Sequence, residues 1–384
     1  MRRNAAVYAL IILILIGLIA TADFLINYYS YSVPIIGSTP YTIVFYPDCS
    51  VCSNAAINAF DSFLSGYGYS PGQNNLSYAS TYGNNAVKSN LIAALPSVIL
   101  PSSAIYKIQD QIVTLEYLNV LSFNQNAFVL NTPFLASIYG PVTFYDLIQN
   151  RTITSVNIMN LTKMFNTTIN SSLSNLLNPV PFLSLENSTL LRSGNKTTIL
   201  FVSSDSPFSA IQDVILESAL GAFGNFSVPV TQYSIKLNGN SSLSLGPQIY
   251  YNLSSMSYSS RYFSLDAEDI NSIGNSQLGV GQMFQYDQNA LSSVNSAYGN
   301  FMPLLDIGGK YVSVSSILRP FVFNGENLSE IASTIRSDNV AGTAFNDSVG
   351  FVDAVLCSLI NSSEPVCGTS LVRAEMSDIG SVTD

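Results

Sequence analysis

One stretch constrains this chain more than any other. It is Tyr41 to Leu64, YTIVFYPDCSVCSNAAINAFDSFL. Ile43 to Tyr46 is an apolar, β-type run that stops at Pro47-Asp48, and Cys49-Ser50-Val51-Cys52 follows at once. Ala56, Phe60, Phe63 and Leu64 are then spaced for one apolar face of a helix. The first N–H groups of a helix have no backbone partner, and the helix dipole places partial positive charge there. A thiolate at that spot is stabilised, and thiolate is the reactive form of cysteine. In disulfide exchange the more exposed first cysteine reacts and the second resolves the mixed disulfide, which assigns Cys49 and Cys52 these roles. Asp48 opposes thiolate formation, and no Lys, Arg or His lies nearby in sequence to favour it. Exchange, a static Cys49–Cys52 disulfide and a metal site all stay open.

Composition narrows the setting. Only 10% of the 384 residues are charged, against about 25% in ordinary soluble proteins. Ser, Asn, Thr and Gln fill the polar positions instead. With few Lys and Arg, little positive charge is left to repel itself when carboxylates are protonated, which fits an acidic exterior. Drift in a secreted protein explains the composition equally well. There is no His, which excludes Ser-His-Asp and Cys-His catalysis and His-liganded metal. No basic patch follows Arg2-Arg3, so nucleic acid is not an expected partner. No cofactor is implied.

The N-terminus reads as a membrane segment. Arg2-Arg3 precedes an apolar run from Ala5 to Ala20 that continues to Ile26, and about 20 such residues span a bilayer. The arginines set the N-terminus inside and the remainder outside. A retained anchor is expected over residues 1–27; a signal peptide cut near Ala20-Thr21-Ala22, giving a secreted protein, is the alternative. Residues 28–40 read as a linker. Asn-x-Ser/Thr sequons are dense on the outside portion, at Asn75, Asn150, Asn187, Asn195, Asn225, Asn252, Asn327, Asn346 and others, and each marks a surface loop open to glycosylation. Abundant Asn, Ser and Thr alone generate part of this density.

After the cysteines, Gly66 to Asn85 looks like loop. Ile112 to Leu121 alternates as a strand, Gln125 to Ile138 reads as a helix, and Tyr139-Gly140-Pro141 ends it. Strands follow over Val142 to Leu147 and Thr152 to Ile158, then a helix from Leu161. Asn178 to Asn195, with two prolines, reads as a linker. The second half repeats the layout. Thr197 to Val202 is a strand, and Ser206-Pro207-Phe208-Ser209 opens a helix through Ala222. Residues 235–282 read as an insertion, followed by a helix over Gln288 to Tyr298, Pro303, and a hairpin through Gly308-Gly309. Asn327 and Glu330 form a capping box, and a last helix carries Cys357 ahead of Cys367. An even cysteine count in an exported chain favours pairing of Cys357 with Cys367 as a structural disulfide. A four-cysteine zinc site is the remaining alternative.

The order of elements in the first half resembles the thioredoxin fold. That resemblance implies a cis proline facing the cysteine pair. Pro141 is the expected one because the elements on both sides of it fall in order; Pro96, in ALPSVILP, is the rival. In the second half, TTILFVSSDSPFSAIQDVILESALGAFGNFS, FMPLLDIGGKYV and AVLCSLINSSEPVC resemble an archaeal family designated domain of unknown function 929, over about residues 195–368. The resemblance implies a thioredoxin-like, often membrane-anchored protein, with Cys-Pro-aromatic-Cys where this chain has Ser206-Pro207-Phe208-Ser209. Ser206, Ser209 and Pro303 thus mark a degenerate counterpart of the Cys49, Cys52 and Pro141 site.

The fold class expected is α/β. Two tandem thioredoxin-like domains, 41–177 and 196–370, each carry a central mixed sheet with flanking helices, ahead of a tail over 371–384. The function expected is thiol–disulfide exchange on exported proteins, with a non-catalytic envelope binding or structural protein as the alternative.

Overall fold

The computed structural model describes residues 40–49, 69–90, 92–101, 120–124, 127–147, 149–159, 181–204, 207–232, 249–270, 303–360 and 364–383, with isolated positions between 52 and 66 and at 176 and 247. The expected membrane segment, the helices expected from Leu161 and over Gln288 to Tyr298, and Ser206 lie outside the described residues. Among the described residues no helix is long and apolar enough to cross a membrane.

Strand β1, Pro40–Phe45, alternates its side chains between two cores. Tyr41 and Ile43 join one and Val44 the other. Helical residues at 52, 58, 60–62 and 64–66 follow the cysteines. Phe60 and Leu64, anticipated on the apolar face, are fully buried. The buried Tyr41 hydroxyl donates to Asp61 and ties that helix back to β1. Strand β2, Ser70–Ser77, runs parallel to β1. Helix α1, Thr81–Ser89, is capped by Ser80, whose hydroxyl accepts the Gly83 N–H. These two elements replace the loop expected over Gly66 to Asn85. The stretch lacks apolar periodicity, yet it forms an edge strand through backbone pairing to β1.

Strand β3, Ala94–Leu95, then Pro96, then β4, Ser97–Pro101, continue the chain. Strands β5, Leu121–Asn124, and β6, Ala127–Leu130, complete a five-stranded sheet of order β2-β1-β4-β6-β5. The helix expected over Gln125 to Ile138 is therefore strand β6, a 3-10 turn and a short helix α2, Ala136–Tyr139. Apolar residues in AFVL serve a buried strand as well as a helix, and periodicity over so few positions does not separate the two.

A second sheet is larger. It holds β7, Val142–Asp146; β8, Arg151–Asn157; β9, Phe182–Glu186; β10, Arg192–Ser193; and β11, Lys196–Ser204. After helix α3, Pro207–Gly221, come two small antiparallel pairs, β12, Gly224–Ser227, with β15, Ser257–Ser260, and β13, Val230–Gln232, with β14, Ile249–Tyr251. Strands β16, Phe263–Ile270, β17, Leu304–Ile307, and β18, Tyr311–Val314, return to the large sheet. Its order is β10-β11-β17-β18-β9-β8-β7-β3, with β16 parallel to β11. Part of the expected insertion, 235–282, is thus the parallel partner of β11.

The two sheets share one pattern. The strand ahead of a helix, β1 or β11, has a parallel neighbour, β2 or β16, on one side. On the other side lies an antiparallel one, β4 or β17, and beyond it another, β6 or β18.

The expected linker, 178–195, is a seam instead. Phe182 to Glu186 pairs with β8 on one side and β18 on the other, so strands from both halves form one sheet. Its residues are buried on both faces: Leu183 and Leu185 face the core shared with β1 and β4, and Phe182 packs edge-on against Phe351 on the opposite side. That second core holds Ile199 and Phe201 of β11 with helices α3 and α5, Val340–Leu359. Pro181 directly precedes the strand and does not interrupt its ladder.

Helix α4, Leu328–Ile335, carries the predicted capping box: Asn327 accepts from Ser329 and Glu330, and Glu330 accepts from the Asn327 N–H. The expected tail is helix α6, Ser370–Thr383, with Val372 and Ile379 buried against α5. Gly350 makes that approach close, since a Cβ there would sit 2.5 Å from Leu371.

Candidate functional site

Cys49 and Cys52 form a disulfide, and so do Cys357 and Cys367. All four cysteines are consumed, so the four-thiolate arrangement considered from the sequence is not formed. Among the described residues no group of three or more His, Cys, Asp or Glu is placed to hold a metal ion.

Tyr46, Pro47, Asp48 and Cys49 make the turn that ends β1, with the Cys49 N–H donating to the Tyr46 carbonyl at 3.3 Å. Proline at the second position of such a turn presets its backbone. The Cys52 N–H, at the start of the helix, donates to Cys49 Sγ at 3.2 Å. This is the contact that the strand-to-helix spacing implied, and it favours negative charge on that sulfur. The pair is asymmetric: Cys49 is 6% exposed and Cys52 1%. Both sulfurs are thus buried, that of Cys49 the less completely.

The β7–β8 hairpin meets the turn. Tyr145 and Thr152 are cross-strand partners. The Tyr145 ring stacks on Tyr46 at 3.8 Å between centroids and 9° between planes. The Thr152 hydroxyl lies 3.8 Å from Cys49 Sγ. One cross-strand pair therefore covers both ends of the cysteine turn. Hydrogen bonding with Tyr46, then burial, push the Tyr145 hydroxyl up to about 12, so it stays neutral. Sequence reasoning identified the hairpin but not its place over Cys49, because 103 residues separate Cys49 from Thr152.

Pro141 is not the cis proline. The one cis bond among the described residues is Leu95–Pro96, and the Gly140–Pro141 bond is trans. Pro141 instead precedes β7 and is exposed. Pro96 stands where the chain leaves the large sheet at β3 and enters the small one at β4, next to β1. Reading Gly66 to Asn85 as loop leaves no strand and helix between the cysteine helix and Pro96, whereas β2 and α1 supply both. Leu95, just before it, pairs antiparallel with Tyr145, and Ala94 with Asp146. Disulfide turn, Pro96 edge and hairpin thus form one cluster.

In the second half, Pro207 opens α3 and Ser209 is fully buried in it. Pro303 precedes β17, and its carbonyl accepts the Ser315 N–H at 2.7 Å. Buried Asp213 on α3 accepts from Ser203 of β11 at 3.3 Å. No sulfur stands at this junction.

Buried carboxyls are the feature that sequence reasoning missed. Asp306 is fully buried on β17, and loss of solvation pushes it up to about 7. Burial likewise pushes Asp353 on α5 up to about 8. Glu375 on α6 rises to about 7 through burial and the nearby Asp378 and Asp347. No protein-family model, curated protein or solved structure matches this chain.

Proposed function

We propose that this is a membrane-anchored, extracytoplasmic protein of two thioredoxin-like units that exchanges disulfides with exported proteins through Cys49 and Cys52. The observation that carries the reading is the Cys49–Cys52 disulfide at the end of β1, with the Cys52 N–H on Cys49 Sγ. Its setting adds support. The order β2-β1-β4-β6, parallel then antiparallel, with a cis proline ahead of β4, fits what is expected of the thioredoxin fold, and the strand order β16-β11-β17-β18 has the same parallel and antiparallel pattern.

The chemistry starts from the disulfide form. A thiolate of a substrate dithiol attacks Cys49 Sγ, forms a substrate–Cys49 bond and releases Cys52 as thiolate. The second substrate thiolate attacks the first substrate sulfur and releases Cys49. The substrate ends as a disulfide and the protein as a dithiol, two electrons having moved to the protein. The helix-terminal N–H stabilises the departing Cys49 sulfur.

Two further features fit an acidic exterior. Asp306, Asp353 and Glu375 favour the protonated form inside the fold. The sequon residues Asn75, Asn150, Asn187, Asn195, Asn225 and Asn346 are exposed, whereas Asn327 uses its side chain as a helix cap.

A non-catalytic envelope scaffold is the second reading, favoured by the burial of Cys49 and by serines in place of cysteines at 206 and 209. To separate the two, the oxidised full-length protein is mixed with a dithiol peptide, and peptide disulfide is quantified by mass. Exchange predicts peptide oxidation by wild type and none by Cys49→Ser. Equal, background-level yields from both, across acid to neutral pH and with the hairpin variants described below, would sink the exchange reading.

A further inference from the structure

We infer that the β7–β8 hairpin is a built-in cover of the Cys49 sulfur, and that Tyr145 and Thr152 set how readily a partner's thiol reaches it. The inference rests on the exchange reading for its purpose but on geometry for its existence. Three contacts on three different groups hold the hairpin there. Tyr145 stacks on Tyr46 at the start of the cysteine turn. Thr152, its cross-strand partner, lies 3.8 Å from Cys49 Sγ at the end of that turn. The backbone of β7 pairs with Ala94 and Leu95, and the Leu147 N–H extends this to the Ala93 carbonyl at 2.9 Å.

That last pairing matters for access. A strand edge next to a reactive sulfur is where an extended peptide can add by backbone hydrogen bonds. Here the β3 edge is taken by the chain's own β7. A partner that lays a strand against Ala94–Leu95 must displace that pairing, whereas a small thiol need only pass Thr152.

The hairpin has a fixed part and an adjustable part. Phe144 and Ile153 are fully buried in the core shared with β1 and β9, and Ser155 donates to the Pro133 carbonyl at 2.7 Å. Their neighbours Tyr145 and Thr152 point to the other face; Tyr145 is half-buried and Thr152 exposed. Substitution at these two positions changes the cover without removing core contacts.

The test uses the oxidised full-length protein and dithiothreitol as probe, with newly formed thiols alkylated and mapped by mass. Loss of one aromatic stack shifts an opening equilibrium by roughly two- to twelve-fold. Tyr145→Ala is therefore expected to speed reduction of Cys49–Cys52 by that factor. Thr152→Gly is expected to speed it also, and Thr152→Phe to slow it. Cys357–Cys367 is the internal reference, and its reduction rate stays at the wild-type value. Unchanged Cys49–Cys52 rates, or rates that do not follow side-chain size at position 152, overturn the cover. Equal acceleration of both disulfides overturns it too, since that reports general loosening. The dithiol peptide then separates this inference from the exchange reading. Variants that react faster with dithiothreitol yet oxidise no peptide leave the cover standing and remove the exchange function. A wild type that oxidises peptide as fast as the opened variants leaves exchange standing and removes the cover.

Discussion

Replacing Asp306 by asparagine isolates one buried carboxyl as a source of acid stability. Asp306 lies in the middle of β17, flanked in register by Leu200 of β11 and Val312 of β18. Its Oδ1 accepts the Gly309 N–H at 2.7 Å across the β17–β18 turn, and its Oδ2 is buried without a partner. Loss of solvation outweighs the stabilising hydrogen bond, and the carboxyl rises from 3.8 to about 7. The folded state therefore holds a proton that the unfolded chain releases at lower pH. The stabilisation is fully present below the unfolded value of 3.8, and it is lost as pH rises through about 7. Each pH unit between the two is worth about 1.36 kcal/mol, so the whole span is on the order of 4 kcal/mol. Asparagine keeps the Oδ1 acceptor for Gly309 and has no proton to lose. Denaturant unfolding of the two proteins, followed by circular dichroism and tyrosine fluorescence between pH 4 and pH 8, reads the difference directly. Near pH 4 the proteins should have similar stability. By pH 8 Asp306→Asn should be the more stable by several kcal/mol. Asp353 and Glu375 impose their own acid preference on both proteins and cancel in the comparison. Parallel pH profiles would refute the reasoning, since Asp306 would then carry no buried titration.

Two further substitutions test the frame around the site. Removing the Cys357–Cys367 disulfide as a double serine variant opens a loop of sequence separation 10, and chain entropy puts the loss at about 3 kcal/mol; chemical denaturation measures it, and a loss near zero would show that the bridge does not restrain the unfolded chain. Asn327→Ala leaves the Ser329 and Glu330 N–H groups without their acceptor and is expected to cost about 1 kcal/mol, read as a lower unfolding midpoint with an unchanged spectrum.

Much of the second half was legible along the chain. The apolar run of β11, the helix opened by Pro207, the Gly308-Gly309 turn and the Asn327–Glu330 box are local features, and each appears where its residues placed it. Both glycines of that turn take positive φ, +72° and +68°, and a Cβ on Gly309 would lie 2.9 Å from the Thr189 carbonyl. The first half was harder to read. SPGQNNLS gives no apolar alternation, yet it is a strand because β1 pairs with it at Ser70 and from Asn74 to Ser77. FLSLE followed two prolines and read as linker, yet it is a central strand of the large sheet, buried from Phe182 to Leu185.

Read by itself, the chain placed two cysteines where a strand hands over to a helix. Adjacent residues settle that much: the turn at Pro47-Asp48, the helix start and the reach of three positions between sulfurs are all local. Which proline is cis, which strand joins the halves and what lies over Cys49 were decided by contacts between residues far apart in sequence. Leu95 with Tyr145, Leu183 with Val312 and Cys49 with Thr152 are non-local. Local propensity carries no record of such pairings, because their register is chosen only when two sheets close over a common core.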